Sequence, residues 1–179
     1  ANSAGRGAAG NITITTGRLI VRDGGEVSAF TTGSGNGGTL AVNASESVEV
    51  IGTRANGGFG SSLTTDSGGM GVAGTLTITT GRLIVRDGGE VSASTLGRGL
   101  GGTLEVNASE SVEVIGAGAT GLGSNLATQT LGEQRAGNLT ITTGELMVQD
   151  TARITVSSLG TGRAGDLEVK ADSIRLDNQ

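Results

Sequence analysis

Cysteine, histidine, proline, tryptophan and tyrosine are absent from this 179-residue chain, and phenylalanine occurs only at Phe30 and Phe59. Without cysteine there are no disulfide staples and no thiol chemistry, and without histidine the commonest zinc ligands are gone. The shortage of aromatics removes the signature of a propeller blade. No apolar run reaches membrane-spanning length, so membrane insertion is not expected. Seventeen acidic residues outweigh 12 Lys and Arg for a net charge of −5, and with no basic stripe to neutralise phosphates a nucleic-acid partner is not expected either.

What the chain has in abundance is repetition, with 35 glycines as punctuation. The segment Thr13 to Ala29 (TITTGRLIVRDGGEVSA) returns letter for letter at Thr77 to Ala93, and Val42 to Gly52 (VNASESVEVIG) returns at Val106 to Gly116, both 64 residues on. A fixed long period is the mark of stacked units. A shorter cassette of Gly, a small polar residue and alternating apolar residues opens at Gly10, Gly38, Gly74, Gly102, Gly137 and Gly165, at spacings of 28, 36, 28, 35 and 28 residues. Six coils follow, grouped into approximate repeats 10–73, 74–136 and 137–179 of one segment, 1–179.

Within each unit apolar residues alternate with period two, which is strand spacing and not helix spacing. The first unit runs Ile12, Ile14, then Leu19, Val21, then Val27, Ala29, with Gly17 and Asp23-Gly24-Gly25 between the bursts. Three short strands per coil, repeated in one direction, describe an all-β single-stranded parallel β-helix. Antiparallel hairpins would be joined by two-residue turns between longer strands, a pattern not seen here. Stacking the coils lines up aliphatic columns: Ile12, Leu40, Leu76, Leu104, Leu139 and Leu167 in one, and Val21, Val50, Val85, Val114, Val148 and Leu176 in another. Like stacks on like about 4.8 Å apart, so a narrow core fills without rings. Glycines in the return loops are expected to supply left-handed backbone.

The repeated words ITTGRLIVRDGGEVSA, GNLTI and VNASESVEVIG resemble those of bacterial filamentous-haemagglutinin-like exoproteins, the two-partner secretion passengers common in cyanobacteria. The resemblance covers essentially the whole chain. It implies a long right-handed β-helical rod, export of the full-length protein through an outer-membrane transporter, location at the bacterial cell surface or outside it, and roles in adhesion, aggregation or surface structure. The family's N-terminal recognition domain has no match here, and the chain opens mid-motif at Ala1, so a segment of a longer protein is expected. Implied partners are host or neighbouring cell surfaces or their glycans.

Catalysis is the competing reading, because several pectin-degrading enzymes are parallel β-helices; a polysaccharide-active enzyme or carbohydrate-binding module is therefore the alternative. Asp23 with Glu26 and Asp87 with Glu90, beside Arg18, Arg22, Arg82 and Arg86, are the best candidates. The copies fall two coils apart, about 10 Å, with Gly52 and Thr53 between, too far to share a catalytic water. The third repeat replaces DGGE with Asp150-Thr151-Ala152-Arg153. Each Asp is better read as capping a tight Gly-Gly corner through backbone N–H groups, and no catalytic residue is expected. Loops such as Asp66-Ser67-Gly68-Gly69-Met70-Gly71 lack the carboxylate spacing of calcium-binding β-rolls, so neither metal nor cofactor is expected. Outward Thr pairs (Thr13/Thr15, Thr77/Thr79, Thr140/Thr142) are interrupted in alternate coils by Ala41/Asn43, Glu105/Asn107 and Glu168/Lys170, which breaks any ice-matching lattice.

Two features remain as candidate interaction sites. One is the loop between Gly52 and Phe59, which diverges between otherwise identical copies and carries Arg54, Asn56 and Phe59 in one copy and Leu122 in the other. The other is the outward row Ile20, Ile84 and Met147, separated by Glu49 and Glu113, a candidate for lateral contact between rods. Exposed strand edges at the ends of the stack add end-to-end self-association to the expected partners.

Overall fold

A computed structural model describes residues 1–54, 59–119 and 121–178. Eleven strands and no helix are found among them: β1 (Ile12–Arg22), β2 (Glu26–Ser28), β3 (Thr39–Ile51), β4 (Ser62–Thr64), β5 (Thr75–Arg86), β6 (Glu90–Ser92), β7 (Thr103–Ile115), β8 (Asn125–Thr130), β9 (Asn138–Gln149), β10 (Arg153–Ser158) and β11 (Leu167–Asp177). The odd-numbered strands form one six-stranded sheet in the order β1-β3-β5-β7-β9-β11, and the even-numbered strands form a second, five-stranded sheet. Every ladder is parallel, so each strand pairs with the next one but one along the chain, as in a β-solenoid.

Register follows the cassettes. Ile12 faces Leu40, Leu40 faces Leu76, Leu76 faces Leu104, Leu104 faces Leu139 and Leu139 faces Leu167. A slip of one residue would turn every aliphatic side chain to the outside, so the alternation pins the register. Leu40, Val48, Leu76, Leu83, Leu104, Val112 and Leu139 are fully buried, and each such side chain contributes about 1.5 to 3 kcal/mol. At the two ends the columns lack a covering strand: Ile12, Ile14 and Leu19 are half-buried, while Leu167, Ile174 and Leu176 on β11 are exposed.

The expected three short strands per coil require correction. The first two bursts form a single strand of 11 to 13 residues, bent at a β-bulge, and only the third burst lies in the second sheet. At the bend β1 crosses with Gly17 alone between Thr16 and Arg18, whereas β3 uses two residues, Ser45 and Glu46, between Ala44 and Ser47. The extra residue in alternate strands is absorbed without breaking the ladder, which is what a bulge does. Threonine fastens the tighter bend: the hydroxyls of Thr16, Thr80 and Thr143 donate to the carbonyls of Arg18, Arg82 and Glu145 at 3.1, 3.3 and 3.2 Å. Glycine there is a matter of space, since a Cβ on Gly81 would lie 2.6 Å from the Glu46 carbonyl oxygen.

Return loops of equal length stack in register through bridges between Ser3, Thr31, Ser67, Thr95 and Thr130. Their glycines do not adopt the expected left-handed backbone: among the described residues, positive φ in glycines is confined to Gly24, Gly52, Gly88, Gly116 and Gly121, all outside these loops. Close stacking explains them instead. A Cβ on Gly69 would lie 1.8 Å from the Gly33 carbonyl oxygen, one on Gly97 1.9 Å from that of Gly69, and one on Gly99 1.8 Å from that of Gly71. Each loop lies directly on the loop of the previous coil.

Candidate functional surfaces

The DGG corners following β1 and β5 hold the carboxylates first suspected of chemistry. Asp23 and Asp87 adopt left-handed backbone, with φ of 57° and 56°. Their carboxylates do not cap the corner. They extend into solvent beside Arg22 and Arg86, at 3.6 and 3.7 Å, and exposed pairs of this kind contribute little to stability. The capping group is a serine of the next coil: Ser61 Oγ accepts from the Gly24 amide at 3.0 Å, and Ser124 Oγ accepts from the Gly88 amide at 3.0 Å. Arg22 and Arg86 each face Ile51 of the intervening coil, so Asp23 and Asp87 stand two coils apart, as the spacing predicted.

A different carboxylate group was missed. On the second sheet Glu26, Ser62, Glu90, Asn125 and Arg153 form one column, and Asp66 follows β4 beside it. Asp66 accepts from Ser92 Oγ at 2.8 Å and from the Ser94 amide at 2.6 Å. Burial nevertheless pushes its carboxyl above the usual carboxylate range, and Glu26 adds to the rise. Glu90 is raised by burial and by the nearby Asp66, against a hydrogen bond from Asn125 at 3.4 Å. No group of three or more potential ligands able to hold a metal ion is present among the described residues. Asp66 works as an acceptor that joins its own coil to the next; its place in a loop otherwise free of carboxylates was the available signal.

At the base of the divergent loops, after β3 and β7, antiparallel bridges join Thr53 to Gly60 and Ala117 to Gly123. The Arg54 amide donates to the Phe59 carbonyl at 3.4 Å, and the Gly118 amide to that of Leu122 at 2.8 Å. Phe59 is 85% exposed and Leu122 58%, while the Arg54 side chain lies over Gly24. Asn56 lies outside the described residues.

The outward row is in register from end to end, Ile20 facing Glu49, Ile84, Glu113, Met147 and Arg175 in turn. Ile20 is exposed, whereas Ile84 and Met147 are partly buried between their charged neighbours. Arg18 donates to Glu49 at 2.8 Å and holds its carboxyl below the usual range. Along the bend runs an uncharged trough of about 700 Å³, lined by Thr15, Asn43, Thr79, Asn107 and Thr142 among others.

Sequence reasoning also overlooked the outer surface of the return loops. Leu96, Leu131 and Leu159 follow Thr95, Thr130 and Ser158, which are bridged or paired in register, so the three leucines stack in one column. They are 54%, 49% and 68% exposed, and Met70, Val72 and Leu100 are exposed on the same wall. The signal was the constant distance from each loop leucine to the glycines after it. Compared with known proteins, the chain matches no family model, no curated protein and no solved structure.

Proposed function

We propose that this chain is a structural and adhesive rod segment of a secreted bacterial surface exoprotein, folded as a right-handed single-stranded parallel β-helix of six coils and similar to filamentous-haemagglutinin-like repeats. The observation that carries the reading is the equivalence of the coils. Strand after strand keeps the same register and the same aliphatic columns, which supports a repeated structural unit. Selection for length tolerates such copies. The exposed Phe59 and Leu122 support contacts made by the divergent loops, and the resemblance supports glycans as partners. Export through an outer-membrane transporter belongs to the full-length protein.

Beads coated with the chain provide the test, scored for adhesion to bacterial and host cells and to an array of glycans. Retention on a defined surface is expected, reduced when residues 54–59 are replaced by a Gly-Ser loop. Absence of retention on every surface, or release of reducing ends from a polysaccharide, would overturn the reading in favour of another role or of catalysis.

A further inference from the structure

The wall of stacked return loops differs from the rest of the molecule in charge as well as in apolar character. Residues 3–10, 31–38, 67–74, 95–102, 130–137 and 158–165 contain four arginines, Arg6, Arg98, Arg135 and Arg163, and one acid, Glu133. The wall therefore carries +3, and with the whole chain at −5 the remainder carries −8. Arg6, Arg98 and Arg163 make no ion pair among the described residues, and Arg135 is shared with Asp166 at 2.7 Å. Val72 and Leu100 precede Arg135 and Arg163 in one column, because the amides of Gly37, Ala73, Gly101 and Ala136 donate in turn to the carbonyls of Val72, Leu100, Arg135 and Arg163. Cationic and apolar side chains thus alternate with backbone-thin glycine columns over a surface that rises one strand spacing, about 4.8 Å, per coil.

We propose that this wall docks the chain onto a lipid bilayer surface bearing anionic phospholipid headgroups. Stable peripheral binding takes two signals, an apolar one and a basic one, and the wall presents both. The arginines meet the headgroup phosphates, while Leu96, Leu131 and Leu159 reach the headgroup–acyl boundary. Segregated charge orients the approach, since the remainder of the chain taken together is acidic and is repelled by the same surface. No helix is long and apolar enough to cross a membrane among the described residues, and docking requires none. The inference goes beyond the adhesive reading, and glycan retention by coated beads succeeds or fails independently of it.

Flotation of the chain with phosphatidylcholine vesicles, with and without phosphatidylglycerol, tests the proposal. Partition is expected only with phosphatidylglycerol, and is expected to fall as salt rises. Arg98→Glu with Arg163→Glu, both at exposed unpaired positions, should lower partition more than twenty-fold, given about fivefold for each arginine removed. Leu131→Ser with Leu159→Ser should lower it too, with the circular dichroism of each variant unchanged. Equal partition into both vesicles, no partition, or indifference to the arginine changes would overturn the proposal. So would capture by a soluble anionic polysaccharide that ignores the leucine changes, or vesicle-free self-association abolished by the arginine changes, which would identify a polyanion site or a second copy instead.

Discussion

Ser61 reaches from its own coil to the corner of the previous one: its Oγ accepts from the Gly24 amide at 3.0 Å while its hydroxyl donates to the Ile51 carbonyl at 2.7 Å. Ser124 repeats the arrangement with Gly88 and Ile115 at 3.0 and 2.7 Å. Both serines are fully buried, so no water is at hand to replace them. Ser61→Ala or Ser124→Ala leaves an amide and a carbonyl short of a partner and is expected to cost about 1 to 3 kcal/mol. In a chain of this size that lowers Tm by about 2 to 4 °C per kcal/mol, measurable by thermal denaturation. Unchanged Tm in both variants would remove the serines from the account.

Glycine substitutions separate the two reasons for glycine in this chain. Gly97→Ala places a methyl 1.9 Å from the Gly69 carbonyl oxygen and is expected to cost about 3 kcal/mol, at the upper end of overpacking. Gly121→Ala meets nothing within 4 Å but has a φ of 79°, so backbone strain alone should cost about 1 to 2 kcal/mol. Gly5→Ala has neither difficulty and should lie within about 0.5 kcal/mol of the parent. Denaturant titration of the three variants gives the ranking, and equal losses would contradict stacking as the cause at Gly97.

Asp66 and Glu90 both have carboxyls raised above their unfolded values, chiefly by burial. In the window between unfolded and folded values the native state binds more protons than the unfolded one. The stability this gives is present below the unfolded carboxylate range and is lost as pH rises through the raised folded values. Asp66→Asn removes one of the two groups and the repulsion on Glu90. The dependence of Tm on pH across that window should therefore flatten, with a gain at neutral pH. A parent Tm that does not respond more to pH than the Asp66→Asn variant would contradict burial as the cause.

The pairing of Leu76 with Leu40 and Leu104 could be read from the sequence because position in each cassette fixes both register and face. Continuity between the bursts could not: Gly17 and the Ser45-Glu46 pair look like chain breaks, and only the ladder shows that they are opposite sides of one bulge. The serine caps were hidden for a similar reason, since Ser61 and Ser124 lie 37 and 36 residues from the amides they cap and resemble ordinary loop residues. For Asp23 local turn chemistry gave a plausible but incorrect partner. The loop glycines were assigned to backbone conformation when the governing constraint was the carbonyl of the loop beneath.

Because Thr13 to Ala29 is identical to Thr77 to Ala93, direct pairing of the two identical segments is the nearest alternative to the parallel stack described, in which β3 lies between them. The absence of native cysteine makes disulfide trapping clean. Ala41 faces Thr13 on one side and Thr77 on the other, at the strand spacing of about 4.8 Å, within the range a disulfide can span. Thr13 and Thr77 are separated by about twice that distance, beyond such reach. Oxidation of the double variants Thr13→Cys/Ala41→Cys and Ala41→Cys/Thr77→Cys should close an intramolecular bond in each, while Thr13→Cys/Thr77→Cys should remain reduced. Closure of the Thr13–Thr77 pair with failure of the other two would contradict the stack.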